Sequence, residues 1–190
     1  RLGLFSRDAL NHGGTIGYLD SFSDGNNSRN TFAYPTMVTV NDPDPISSSV
    51  QYNFDFGAKT RVQGPPPANQ TQGVIQAFTY DSAARLQQVT TVNTGAYTRW
   101  VYPTSQTIVN QFTTIQEGQG EAYSATVFDG AGRVRAKASD FPNSTGHYSG
   151  RFTSYDIMGR AVSRTNPTEM SSSWTASGDD AVGWYSSTQT

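Results

Sequence analysis

Carboxylates, histidines and aromatic rings are the side chains of this 190-residue sequence that could do chemistry. The two histidines, His12 and His147, are far apart and stand beside glycine or tyrosine, which predicts loop and strand-surface positions rather than a catalytic pair or metal ligands. Cysteine is absent, which excludes disulfides and thiolate metal sites, and the sequence has no nucleophile elbow or phosphate loop. We predict no enzyme activity and no catalytic, cofactor-binding or metal site.

The aspartates recur instead of clustering. Four of them directly follow an aromatic residue: Asp55, Asp81, Asp129 and Asp156. A catalytic pair of carboxylates needs two different environments, whereas a regular recurrence gives each aspartate the same environment. Because an aspartate carboxylate accepts backbone N–H bonds in tight turns, we interpret all four as turn residues. Asp179 and Asp180, which follow Ser-Gly, are interpreted in the same way.

Aromatic residues suggest a second class of function. Rings that could stack on sugars are Tyr97, Trp100, Tyr102, Trp174, Trp184 and Tyr185. Aromatic residues in strands also serve as cross-strand packing, so both interpretations stay open. The sequons at Asn26, Asn69 and Asn143 would be modified only in a eukaryotic secretory pathway.

The charge balance argues against nucleic acid and membranes as partners. Only 15% of the residues are charged, and the net charge is -2. Arg133, Arg135 and Lys137 alternate along one stretch, but we expect apolar or acidic neighbours on that strand face. No apolar run approaches the roughly 18 residues that a membrane span needs.

Alternation of polar and apolar residues predicts strands almost everywhere. The clearest runs are Tyr34 to Val40, Val74 to Tyr80, Leu86 to Val92, Thr98 to Tyr102, Thr107 to Ile115 and Glu121 to Phe128. Gly, Pro, Asn or Asp separates them, and no helical stripe occurs. The proline-rich stretch 64–69 is expected to be a surface connector. The sequence predicts an all-β fold of ten or more short antiparallel strands.

A repeat organises these strands. The pattern is an aromatic residue, Asp, two free positions, Gly or Ala, and then Arg or Lys. It occurs four times, with the following residues at its marked positions: Phe54, Asp55 and Lys59; Tyr80, Asp81 and Arg85; Phe128, Asp129, Gly132 and Arg133; Tyr155, Asp156, Gly159 and Arg160. Degenerate units at Tyr34–Thr36 and Tyr102–Thr104 complete six units of about 25 residues.

Each unit is expected to be a β-hairpin. Asp opens the turn, and Gly three residues later supplies a left-handed backbone position. Ala58 and Ala84 stand where glycine is expected, which predicts backbone strain or a different turn. One hairpin cannot bury its apolar face alone, so neighbouring units must stack.

These recurring motifs resemble the YD repeats of RHS proteins, a type shared with insecticidal toxin-complex subunits and the animal teneurins. The resemblance covers residues 32–170 and implies a sheet that spirals into a hollow shell, which in the toxins encloses a C-terminal effector polypeptide. The core-terminating segment at which some members cleave themselves has no match here. We therefore place neither an effector nor a proteolytic site within this chain.

The resemblance sets the remaining expectations. We expect an irregular lead-in over 1–31, YD-like repeats over 32–170 and a linker over 171–190, all within an internal segment of a longer bacterial protein that is secreted or on the cell surface. Its partners would be flanking repeats and an enclosed effector, with glycan contact possible, and no cofactor is expected. The predicted function is a β-shell that encapsulates or displays a polypeptide; the alternative is an extracellular adhesin or carbohydrate-binding β-module.

Overall fold

The structure, a computed structural model, describes residues 3–4, 13–18, 34–42, 44–104, 107–115, 120–144, 146–170 and 188–189. These residues form antiparallel strands and turns without any helix, which confirms the predicted all-β fold of repeated hairpins. No helix in this part of the chain is long and apolar enough to cross a membrane. The chain divides into two compact units, Arg1–Tyr97 and Thr98–Thr190.

The first unit is a series of hairpins in chain order. Each strand pairs antiparallel with the next: β1 (Gly3–Leu4), β2 (Gly13–Gly17), β3 (Met37–Asp42), β4 (Asp44–Tyr52), β5 (Lys59–Gln63), β6 (Ile75–Tyr80) and β7 (Leu86–Thr91). Strands β6 and β7 match the predicted runs to within one residue. Strand β4 was not among the predicted runs, and its Pro45 is tolerated because it lies beside the first residue of the strand.

The second unit continues the same pattern from a strand that begins at the unit boundary. Its strands are β8 (Tyr97–Val101), β9 (Ile108–Thr114), β10 (Glu121–Phe128), β11 (Val134–Asp140), β12 (Tyr148–Tyr155), β13 (Ala161–Thr165), β14 (Thr168–Glu169) and β15 (Thr188–Gln189). Strands β8 to β13 pair in sequence, β14 pairs with β12, and β15 pairs with β13.

One face of the second unit's sheet forms a thin core. Along β11, Ala136 and Ala138 are buried while Arg135, Lys137 and Ser139 are exposed, as a period of two requires. The buried cluster consists of Ile108, Ala125, Val127, Ala136, Ala138 and Met170, flanked by Tyr123, Tyr148 and Phe152. Alanine is frequent because only one layer of side chains is buried there, and the aromatic rings cover its margin.

The degenerate repeat units lie where strands begin or end. Tyr34–Thr36 comes just before β3, where Tyr34 stacks on Tyr52 with ring centroids 4.9 Å apart. Thr36 is buried, and its N–H donates to the carbonyl of Gly17 over 2.8 Å. The segment Tyr102–Thr104 directly follows the end of β8. Neither segment contains an aspartate that could cap a turn.

The predicted boundaries fall partly outside the described residues. Of the lead-in 1–31, only β1 and residues 13–18 are described, and of the linker 171–190 only β15. The proline-rich stretch 64–69 connects β5 to β6, and its prolines are exposed. A hydrogen bond of 2.9 Å from the Gly64 N–H to the Val74 carbonyl joins the two ends of this connector.

Candidate functional site

Three hairpin turns share one hydrogen-bond pattern. In each turn an aspartate carboxylate accepts hydrogen bonds from backbone N–H groups of the turn and from the side chain of the arginine that ends it. In the turn after β10, Oδ1 of Asp129 accepts backbone N–H bonds from Ala131 and Arg133, each 2.9 Å long. Its Oδ2 accepts from Nε of Arg133 at 2.7 Å. The turns at Asp81–Arg85 and Asp156–Arg160 repeat the Nε bond at 2.7 and 2.8 Å. The carboxylate thus accepts the hydrogen bonds that close the turn between residues four positions apart. This is the turn role that was expected for these aspartates.

The same contacts set the ionisation of these aspartates. The backbone hydrogen bond from Arg133 holds the pKa of Asp129 below its ordinary value, and the one from Arg160 does the same for the pKa of Asp156. For Asp81 the largest cause of the lowered pKa is the side-chain hydrogen bond from Arg85. All three carboxylates therefore stay ionised and act as acceptors, which is unlike a proton-transferring acid.

The fourth position of each turn has a left-handed backbone. Gly132 and Gly159 have φ of 77° and 83°, and Ala84 has φ of 59° at the equivalent place. Because a Cβ in this region crowds the following carbonyl, Ala84 stores backbone strain that the two glycines avoid. The alanine therefore replaces glycine without changing the turn.

The first predicted motif has a different turn. Strand β4 ends at Tyr52, and Oδ1 of Asn53 accepts the N–H of Asp55 at 2.9 Å. Asn53 thus occupies the place of the capping aspartate, while Phe54 and Asp55 lie inside a turn that is one residue longer. The left-handed residue is Gly57, with φ of 73°. Our alignment of Phe54 and Asp55 with Tyr80 and Asp81 is therefore wrong by two residues.

The end of this turn is shifted as well. Lys59 is paired with Tyr52, just as Leu86 is paired with Tyr80. Lys59 is therefore the first residue of the return strand, and Ala58 occupies the place that Arg85 has in its turn. Of the two outcomes expected at Ala58, backbone strain or a different turn, the structure has the different turn, because the longer loop moves the left-handed position to Gly57.

Tyrosine hydroxyls join each of two repeats to the one before it. The Tyr80 hydroxyl donates to the carbonyl of Lys59 at 2.7 Å, and the Tyr155 hydroxyl donates to the carbonyl of Val134 at 2.8 Å. Lys59 and Val134 are the first residues of β5 and β11, so these two bonds are equivalent. The tyrosine of a YD pair thus binds the return strand of the preceding hairpin.

Each of these tyrosine rings also packs against the preceding turn. Phe56 contacts Tyr80 edge to face, with ring centroids 5.2 Å apart. Arg133 places its guanidinium carbon 4.4 Å from the centroid of the Tyr155 ring. Arg133 therefore closes its own turn through Asp129 and also covers the aromatic residue of the next turn.

The other candidate residues are not brought together. His147 lies in the turn between β11 and β12 with φ of 63°, exposed and remote in sequence from His12, which is outside the described residues. Tyr97 and Trp100 lie on β8, with Tyr102 just after it. The remaining ring candidates, Trp174, Trp184 and Tyr185, and the pair Asp179 and Asp180 also fall outside the described residues. Among the described residues, no three His, Cys, Asp or Glu side chains form a group that could hold a metal ion.

The three basic residues that alternate in the sequence, Arg133, Arg135 and Lys137, do not form one row in the structure. Arg133 precedes β11 and folds back on Asp129, so it does not continue the row of Arg135 and Lys137. The residue directly opposite Lys137 on β12 is Arg151. The expectation that this row has only apolar or acidic neighbours is therefore wrong.

No protein-family model matches the chain, and no curated protein matches it either.

Proposed function

We propose that this chain is a structural segment of a YD-repeat β-shell, which encapsulates or displays a polypeptide as part of a secreted or surface protein of a bacterium. The observation that carries the proposal is the equivalent pair of tyrosine bonds, Tyr80 to Lys59 and Tyr155 to Val134, each spanning 21 residues. Each of these two bonds ties one hairpin to its predecessor. Such a linkage supports a wall built by repetition rather than a domain closed around one core.

The packing is compatible with this role. The buried cluster of the second unit is a single layer that includes three alanines, Ala125, Ala136 and Ala138. A wall of one sheet needs neighbouring repeats on both sides, because a lone hairpin leaves its backbone and apolar face exposed. The flanking repeats of the same polypeptide would therefore be its first partners, with an enclosed effector as the cargo.

Limited proteolysis of the intact gene product that contains this chain tests the proposal. If the repeats form a container, a segment of the polypeptide outside the repeats resists protease in the native protein. The same segment should be cleaved rapidly after thermal unfolding, which serves as the control. Equal cleavage of every segment in both states would overturn the encapsulation proposal.

The adhesin alternative has its own readout. Binding of the chain to a glycan array would favour a carbohydrate-binding module if the binding is lost in Trp100→Ala. Circular dichroism must show that this variant keeps its strands. Trp100 is half-buried on β8 opposite Gln111, so this substitution also removes packing and needs the folding control. Absence of glycan binding in the unsubstituted chain would remove the alternative.

A further inference from the structure

One face of the second unit's sheet gathers cations from three adjacent strands. Lys137 on β11 lies directly opposite Arg151 on β12. Arg164 on β13 lies opposite Thr153, which is on the same face as Arg151 because it is two residues further along β12. Arg135 also lines this face. We call this surface, defined by Arg135, Lys137, Arg151 and Arg164, the basic face.

The basic face surrounds a depression of about 800 Å³. Hydroxyl and amide side chains make up most of its other polar lining: Gln111, Ser124, Thr126, Ser139, Ser149 and Thr153. No Asp or Glu is among the described residues that line it. The nearest carboxylate in register is Glu169, which lies opposite Ser149 outside the depression and accepts the Gly146 N–H at 3.3 Å.

The stability of the fold does not account for this concentration of charge. Like charges directly opposite each other on neighbouring strands destabilise a sheet, and Lys137 and Arg151 form such a pair. In the turns, Arg85, Arg133 and Arg160 each bind an aspartate. By contrast, Lys137, Arg151 and Arg164 form no ion pair with any residue that the structure describes. Their charges are therefore available to an external anion.

We propose that the basic face binds an acidic segment of polypeptide in an extended conformation. Alternate residues of a strand are roughly 6.6 Å apart, which is also the spacing of alternate side chains in an extended peptide. A peptide with carboxylates at every second position would present all of them on one side, toward the cations of the basic face. Arginine guanidinium groups bind carboxylates through two parallel hydrogen bonds, which favours this pairing further.

The lining favours a polypeptide over the other common polyanions. Single-stranded nucleic acids bind through basic grooves that also offer aromatic rings for base stacking. Tyr155 is the one aromatic residue among the described lining residues, and its ring is already covered by Arg133. That the occupant is a polypeptide rests on the proposed function, and its acidic character rests on the basic face alone.

Fluorescence anisotropy with the 190-residue chain tests the proposal. The probe is a labelled glutamate-rich peptide of twelve residues, compared with a single-stranded oligonucleotide and a sulfated oligosaccharide of similar length and charge. We expect the peptide to bind most tightly, with affinity that falls as salt is raised. The triple variant Lys137→Gln, Arg151→Gln and Arg164→Gln should bind it about tenfold more weakly.

A matched pair of single variants distinguishes binding at the basic face from a general effect of the chain's net charge. Lys137→Gln should weaken binding about twofold to threefold, whereas Lys59→Gln, which removes an exposed lysine in the first unit, should leave it unchanged. Equal effects of the two variants, or no loss in the triple variant, would overturn the proposal. Tighter binding of the oligonucleotide or the oligosaccharide would also overturn it and assign the face to that class.

The two proposals can fail separately. Peptide binding at the basic face without protease protection in the intact gene product would reject the container and keep the acidic-segment site. Protection without peptide binding would reject this site and keep the container.

Discussion

The hydroxyl of Tyr155 donates a hydrogen bond of 2.8 Å to the carbonyl oxygen of Val134, 21 residues earlier in the chain. Val134 opens the return strand of the preceding hairpin, so the bond connects successive repeats rather than the two strands of one repeat. Tyr80 makes the equivalent bond to Lys59. The tyrosine of the repeat therefore serves two purposes, since its ring packs on the preceding turn and its hydroxyl satisfies a backbone carbonyl.

Removal of the Tyr155 hydroxyl alone should show how much this hydrogen bond contributes to the free energy of unfolding. Tyr155→Phe keeps the ring under Arg133 and loses the bond to Val134, and we expect the free energy of unfolding to fall by about 0.5–1.5 kcal/mol. Urea denaturation followed by circular dichroism gives the value. Tyr52→Phe is the matched control, because no described residue forms a hydrogen bond with the Tyr52 hydroxyl. An equal loss in the control would show that the bond is not responsible.

The left-handed position of the turns can be tested by two opposite substitutions, alanine to glycine in one turn and glycine to alanine in another. Ala84→Gly should raise the free energy of unfolding by about 0.5–1 kcal/mol, because relief of the Cβ crowding at φ of 59° exceeds the entropy that glycine adds to the unfolded chain. Gly132→Ala should lower it by about 1 kcal/mol for the opposite reason. Chemical denaturation of both variants gives the two values.

Gly132 is suited to this comparison because a Cβ built there meets no atom within 4 Å. Any loss of stability in Gly132→Ala is therefore a backbone effect and not a clash. Changes of the same sign in Ala84→Gly and Gly132→Ala would contradict the equivalence of the two turns.

Local patterning predicted strands β6 to β10 and three of the turns, whereas strand β4 was missed and the first turn could be aligned only once the strand register was known. The letters Phe54-Asp55 match the repeat, but strand β4 already ends at Tyr52. Two signals in the sequence pointed to the correct alignment: Tyr52-Asn53 is an aromatic residue followed by a capping residue, and Gly57 stands four positions after Asn53. The extra residue in the loop concealed both.

The basic face lay beyond what the sequence could predict. Arg135 and Lys137 are visible as an alternating pair, but their neighbours Arg151 and Arg164 come from other strands. A shift of one residue in the pairing of β11 with β12 would send Arg151 to the opposite face. The charge of this surface therefore depends on the register between strands, which cannot be inferred from the composition of the sequence or the spacing of its residues. The tyrosine bonds to Lys59 and Val134 depend on the stacking of repeats in the same way.

Acid should weaken the turns. Asp81, Asp129 and Asp156 have pKa values lowered from 3.8 in the folded chain, so they bind fewer protons than in the unfolded chain. Their contribution to stability is fully present above about pH 4 and is lost as the pH falls through the folded pKa values. Thermal melting from pH 7 to pH 2 should show a Tm that falls below pH 4.

Asp129→Asn tests the assignment of this acid effect. Asparagine keeps an Oδ1 acceptor for the two backbone N–H bonds, as Asn53 does in the first turn, and loses the charged contact with Arg133. We expect a lower Tm at pH 7 and a smaller drop in Tm between pH 4 and pH 2. A drop as large as that of the unsubstituted chain would show that Asp129 does not contribute to the acid effect.

The thin core of the second unit should depend strongly on its largest buried side chain. Met170 is fully buried and belongs to the cluster with Ile108, Val127 and the three alanines, so Met170→Ala leaves a cavity that a single layer cannot refill. We expect a loss of about 2–5 kcal/mol in the free energy of unfolding, measured by urea denaturation. Met158→Ala is the matched control, since Met158 lies in an exposed turn with 76% of its surface accessible, and it should change stability by less than about 0.5 kcal/mol. Similar small losses in both variants would mean that Met170 does not close the core, and the sheet would then owe its stability to the hairpin turns and the tyrosine bonds.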